Sequence, residues 1–341
     1  MTLSRRCMLL AAAAVAALAA TSAAPPALAQ AKEVTFAHQD MIVPLRVLMA
    51  KGEIEKATGY KITWKMFGGG GDVIKAMASG QVPIGEVGSS PATAAASQGL
   101  DIEVIWLLDD IGNAEQLVAR DGSGVTSLAD HKGKKIATPF VSTAHYQLLA
   151  ALADAKVSAK QVQILNLRPP EIAAAWERGD IDATFIWDPV LTRVKTNGKV
   201  IVSSGDIAKQ GKPTFDAIVV SKSWAATNRD FVTKLIGAIA KQDAAYKANQ
   251  AKWTADSEEV KAVAKIVGAK AEDVPAAMAA YNFPSAAEQA SPTWLGGGSS
   301  GGVAKAMADT ARFLKEQGRI TSVAPDYGTF VNPAYAAAAA K

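Results

Sequence analysis

From Lys32 onward, short apolar or alternating runs take turns with stretches of helical spacing. Extended runs are expected at 33–37, 61–67, 82–87, 102–108, 135–138, 162–167, 183–187 and 200–203. Helices are expected at 43–57, 72–79, 91–98, 144–154, 171–178, 190–196, 230–247, 258–268 and 303–317. Strand and helix in regular alternation make a βαβ series, the pattern of a mostly parallel sheet flanked by helices. Two further extended runs, 116–119 and 217–220, break the alternation about one hundred residues apart. They are read as strands carrying the chain from one lobe to another and back. The first lobe is then discontinuous, 31–117 plus 221–341, and the second is 118–220. Two α/β lobes joined by two crossovers form a clamshell that closes on a ligand by hinge motion. The glycine-rich stretch 296–302, GGGSSGG, reads as a flexible loop and lacks the GK[ST] of a phosphate loop. The alanine tail 336–340 is expected to fray.

The first 29 residues have a different pattern. Arg5 and Arg6 precede an apolar run from Met8 to Ala20, and small residues follow, ending in Ala27-Leu28-Ala29. A basic head, an apolar middle and an A-x-A site make a secretory signal peptide. The run is too short for a transmembrane anchor. Ser4-Arg5-Arg6 also fits a twin-arginine signal, so the export route is open between that and the general secretory one. Either way the product belongs in the periplasm. Cys7, the one cysteine, falls inside this segment, and its removal leaves no disulfide, thiol nucleophile or thiolate metal site. Loss of Arg5 and Arg6 with no acid lowers the formal net charge from +4 to +2. So small a value argues against nucleic acid as a partner. A hydrophobic share of 49% suffices for two cores.

Ligands of α/β sheets sit beyond the carboxyl ends of strands, where helices begin and offer free N–H groups. Four such junctions carry small polar or aromatic residues. Gly88-Ser89-Ser90-Pro91 is either a simple helix cap or an anion cradle. Ser142-Thr143-Ala144-His145 opens the next candidate helix. In that group His145 is read either as a packing residue or as a ligand contact. Ile186-Trp187-Asp188-Pro189 sets a large aromatic at a strand end, as core filler or as a wall over a ligand. Gly68–Asp72 ends in an acid that either caps a helix or faces the ligand. Asp216, just before the second crossing strand, is placed to pair with an ammonium if it faces the cleft.

Taken together, these stretches resemble the taurine-binding proteins of bacterial ABC importers, within the nitrate/sulfonate/taurine-binding group. The likeness runs through IGEVGSSPATAAASQG (84–99), PFVSTAHYQLLAA (139–151), NLRPPEIAAAWERGDIDATFIWDP (166–189), PTFDAIVVSK (213–222) and FLKEQGRI (313–320), in order and in spacing. The resemblance implies a two-lobe periplasmic-binding-protein fold of the second class, with the ligand in the interlobe cleft. It also implies delivery to a membrane permease and its ATPase. Carried over residue by residue, it sets Ser89, Ser90, Ser142 and Thr143 near a sulfonate, Asp216 on an ammonium, Trp187 as an aromatic wall and Gln39 at the end of the first strand.

Some positions depart from the family pattern. Asp40, Asp72, Glu86 and Asp188 stand where small or neutral residues are more usual, and Ala144 replaces a threonine. Acids facing the cleft without a counter-charge disfavour an anion. A small organic cation, such as an amine or guanidinium compound, is therefore the alternative ligand. An enzyme reading, by analogy with pyrimidine-precursor synthesis on related folds, finds little support. The three histidines, His38, His131 and His145, are scattered, and no catalytic triad or HExxH spacing occurs. A monomeric binder of a small solute, with no cofactor, metal or catalytic residue, is the expectation.

Overall fold

The computed structural model describes residues 32–341, and the expected signal segment with Arg5, Arg6 and Cys7 lies outside the described residues. Ten strands form where the apolar runs lie: β1 (Glu33–His38), β2 (Lys61–Met66), β3 (Ile84–Gly88), β4 (Glu103–Asp110), β5 (Gln116–Arg120), β6 (Lys135–Thr138), β7 (Gln163–Asn166), β8 (Ala183–Ile186), β9 (Gly198–Ser203) and β10 (Phe215–Val220). They make two five-stranded sheets, ordered β2-β1-β3-β10-β4 and β7-β6-β8-β5-β9. In each sheet four strands run the same way. The fifth, β10 in the first and β5 in the second, runs against both neighbours. Helices cover both faces, so the inner strands β3, β8 and β10 and the edge strand β4 have almost every residue buried.

The two odd strands are the crossings. β5 leaves the first sheet's chain and joins the second, and β10 returns. β10, which the sequence reading grouped with the second lobe, is hydrogen-bonded into the first sheet between β3 and β4. Periodicity shows that FDAIVV is a strand. It carries no information on which edges that strand will pair with.

Three local expectations change. The helix expected over 43–57 is two, Leu45–Lys51 and Glu53–Thr58, because Gly52 takes a left-handed φ of 61° between them. The glycine-rich stretch is a tight turn. A Cβ at Gly301 would lie 2.0 Å from the Gly296 carbonyl oxygen, and one at Gly302 would lie 1.9 Å from that of Thr293. Those glycines allow backbone to pass backbone. The alanine tail is helical over Ala334–Ala339, anchored by buried Tyr335 and Ala336.

Each sheet has its own apolar core, and Phe313, on the helix Gly302–Glu316, packs against both. Its ring meets Tyr146 edge-on at 5.3 Å. Among the described residues no helix is long and apolar enough to cross a membrane.

Candidate functional site

The carboxyl ends of β1 and β3 face those of β6 and β8 across the cleft, and a small cavity of ≈ 10 Å³ lies between them. Its wall is drawn from strand ends and helix starts. The first sheet supplies Gln39 and Met41 after β1, Gly88 at the end of β3 and Asp216 in β10, whose reversed direction brings its start to this edge. The second sheet supplies Ser142 and Thr143 after β6 and Trp187 after β8. Glu115, on the crossing between β4 and β5, and Tyr281 complete the polar lining, and Gly70 and Pro91 add the starts of two further helices. A larger groove at the opposite strand edge includes Asp101, but that carboxylate already accepts hydrogen bonds from Ser221 and Ser223.

Three helices of nine or more residues begin here, Gly70–Ala78, Ser89–Ser97 and Thr143–Asp154. Their first turns concentrate unpaired N–H groups and partial positive charge. Gly88 makes the convergence possible. A Cβ there would lie 2.5 Å from the Thr143 methyl and 3.1 Å from Asp216 Oδ1. Any side chain would push the two lobes apart at this point. Ser142 caps its own helix, accepting from the His145 amide at 3.0 Å and donating to the Pro139 carbonyl at 2.6 Å. Thr143 donates its hydroxyl to Glu115 Oε1 at 2.6 Å, and Ser204 donates to Oε2 at 3.4 Å.

The carboxylates divide into paired and unpaired. Glu86, fully buried, is gripped by Arg46 through two bonds of 2.6 and 2.9 Å. The same guanidinium donates to the carbonyls of Met41 and Gln39, which fixes the 39–41 turn. Gln39 in turn donates its side-chain amide to the Glu86 carbonyl. Glu115 lies deep enough that burial, opposed by its hydroxyl and amide donors, pushes its pKa up to about 7. Asp216 is raised well above the carboxylate range, by burial first and then by Glu115 and Glu86. Asp109, its neighbour on β4, is raised likewise by burial and by Asp216. Among the described residues no lysine or arginine lines the cavity.

Gln39, Ser142, Thr143, Trp187 and Asp216 thus all stand on the cavity wall. The other sequence candidates do not. Ser89 and Ser90 are buried beside it, and the Ser89 hydroxyl accepts from the Phe215 amide at 3.4 Å. His145 turns away, its ring stacked on Phe140 at 4.4 Å and 3°. Burial, and then Arg319, push its pKa down to about 3, so it is neutral. Asp40 accepts from the Trp187 indole at 2.9 Å and so links the lobes. Asp72 does the same on the outside, bonded to Arg168 at 2.8 and 3.0 Å. Asp188 caps the helix Val190–Lys195 through the Thr192 amide. Each of these acids has a partner, and Glu86 has the strongest. Glu115, Tyr281, Met41 and Asp109 escaped the sequence reading. The doublet Asp109-Asp110, at the end of an otherwise apolar strand, was the available signal.

Residues 56–252 match a family described as NMT1/THI5 like. The chain is 38% identical over 303 residues to the taurine-binding periplasmic protein of Escherichia coli, covering 89% of this chain and 92% of that protein. Among solved structures, the alkanesulfonate-binding protein SsuA of Xanthomonas axonopodis pv. citri, bound to MOPS, superposes with a TM-score of 0.69. The superposition spans 90% of this chain and 98% of that one at 23% identity. The desulfurization enzyme DszB shares the fold at a TM-score of 0.60 and 12% identity, covering 91% and 99%.

Proposed function

This chain belongs to the NMT1/THI5-like family, and on that premise we propose that it is the solute-binding component of an ABC importer, capturing taurine or a related small aminosulfonate between its lobes. One observation carries the reading. Buried carboxylates and the starts of helices from both lobes converge on a single small cavity. Taurine has an ammonium and a sulfonate two carbons apart, and the wall offers a match for each. Asp216 and Glu115, with the Tyr281 hydroxyl, receive the ammonium. The N–H groups at the helix starts receive the sulfonate, flanked by Ser142 and Thr143, whose hydroxyls stay on the Pro139 carbonyl and Glu115. Gln39 and Trp187 close over the carbon chain.

The mechanism is a shift of population. Solute bridges groups on both lobes and so binds the closed form more tightly than the open one. The closed form then docks on a membrane permease that works with an ATPase. Export to the periplasm by either route fits this role, as does a monomer with no cofactor. DszB is a reminder that the fold also hosts catalysis. Purified protein should leave bound taurine unchanged over hours.

A specific observation favours a second reading. Asp109, Glu115 and Asp216 gather without a free cation, and a small amine or guanidinium compound would answer that charge without any sulfonate. Thermal-shift and calorimetric titration with taurine, ethanesulfonate, ethylamine and guanidine separates the two, because a ligand raises the melting point by mass action. Tightest binding by taurine supports the aminosulfonate reading. Equal or tighter binding by ethylamine or guanidine replaces it with the second, and silence from all four ends both.

A further inference from the structure

Asp109 is fully buried, and neither of its carboxylate oxygens has a hydrogen-bond partner. It stands directly opposite Asp216 in the antiparallel ladder of β4 and β10. The two side chains therefore leave the sheet on the same face, close enough to share a hydrogen bond. The charged and titratable groups around the pair are Asp110 on the same strand, Glu86 on β3, Glu115 before β5, Tyr281, and Arg46, which Glu86 holds through two bonds. Among the described residues no uncommitted cation faces the pair. No three such side chains have the arrangement of a metal site either. Two bare carboxylates buried opposite each other repel strongly. A proton between them converts that repulsion into a hydrogen bond.

We propose that Asp109 is the proton-holding partner of Asp216: in the empty cleft the two share one proton, and an arriving ligand ammonium expels it. The carboxyl O–H bond breaks, water carries the proton to solvent, and the ammonium keeps all its own hydrogens. At the pair one positive charge replaces another, the proton giving way to the ammonium, while the sulfonate's own charge falls to the helix starts. Asp109 acts here as a positioning residue through Asp216. The inference rests on the reading of Asp216 as the ammonium site.

Calorimetric titration of the mature protein with taurine at pH 8, where Glu115 is mostly ionised, in buffers of different ionisation enthalpy, counts released protons directly. Release of about one proton is expected, with affinity rising ~tenfold per pH unit over the range in which the pair keeps its proton. Asp109→Asn should abolish the release and flatten that pH dependence. Glu115→Gln should weaken binding and leave the release intact. Taurine binding with no buffer dependence overturns the exchange and leaves the binding role standing. Loss of the release in Glu115→Gln overturns it too, by assigning the proton to Glu115. Absence of binding by both taurine and ethylamine would remove the binding role and the exchange together. Should Asp109→Asn fold poorly, the wild-type and Glu115→Gln measurements decide the matter.

Discussion

Glu86 on β3 and Asp109 on β4 are both fully buried acids on the first sheet, close to the same cavity, and they are treated in opposite ways. Glu86 has a bidentate arginine of its own, with both nitrogens within 2.9 Å. Asp109 has no donor at all, only a second carboxylate. Burying an ion costs several kcal/mol per charge unless geometry and hydrogen bonds offset it. At Glu86 the offset is internal, and its result is a rigid 39–41 turn under the ligand. At Asp109 and Asp216 it is missing from the protein and has to come from a proton or a ligand. A buried acid therefore points to a binding site when its counter-charge is absent, and to architecture when the counter-charge is present.

The largest expected effect comes from breaking the satisfied side of that contrast. Arg46→Met leaves Glu86 buried and bare and frees the Gln39 and Met41 carbonyls. A loss of about 3–5 kcal/mol in unfolding free energy is expected, read by urea denaturation. Asp109→Asn, equally buried, can donate its amide to Asp216 in place of the shared proton and should hold the stability of the ligand-free protein. Similar losses in the two variants would erase the distinction between the sites.

The pH dependence sharpens the same point. Glu115 has its pKa raised from 4.5 to about 7, and Asp243, buried against Trp106 away from the cleft, is raised from 3.8 to about 8. Between its unfolded and folded values each group holds a proton in the native state that the unfolded chain has released. Stability contributed by that proton is complete below the lower value and is lost as pH rises through the upper one. The ligand-free protein should therefore melt lower at pH 8 than at pH 5, with a share of roughly 3 kcal/mol from Glu115. Glu115→Gln should remove that share and leave the part due to Asp243. A melting point that rises over this range in the wild type would contradict the buried-acid picture.

A smaller effect belongs to binding. Asp216→Asn keeps the shape of the wall and removes the charge. A loss of about 1.5–3 kcal/mol in taurine affinity is expected, the usual worth of a hydrogen bond to a charged group. Stability of the free protein should hold, because the new amide can donate to Asp109 in place of the shared proton. Calorimetry and melting curves on one preparation test both halves. Unchanged affinity would move the ammonium elsewhere.

All ten strands, four to eight residues long, were legible because each carries apolar or alternating positions of its own, and hydrophobic period is a local property. The antiparallel insertion of β10 was not legible, since pairing depends on segments far apart in the chain. The site divides in the same way. Gln39, Ser142, Thr143, Trp187 and Asp216 sit at or beside strand ends, which local rules can find, and they stand on the cavity wall. Tyr281 reaches the wall from a segment distant in sequence, and Glu115 from a crossing, and nothing local marks either one. His145 follows the same helix start as Ser142. Yet a helix turns 100° per residue, and three positions on, the side chain points at Phe140 instead of the cavity.

The outer edge of the cleft offers the mildest test. Asp72 and Arg168 reach across the lobes with bonds of 2.8 and 3.0 Å, but the side chains are 26% and 57% exposed. Exposed ion pairs are worth about 0–1 kcal/mol and are screened by salt. The pair spans the two lobes, so any energy it has favours closure and adds to ligand affinity. Asp72→Ala should then weaken taurine binding by no more than ~5-fold, through faster release, and the deficit should shrink at 0.5 M salt. Asp40 makes the buried counterpart of this latch, its carboxylate accepting the Trp187 indole at 2.9 Å. Asp40→Ala strands that indole and should cost more than Asp72→Ala with little response to salt. If the two variants fall off equally and salt shifts both alike, burial does not grade the latches, and the contrast between satisfied and unsatisfied charge stops at the cavity wall.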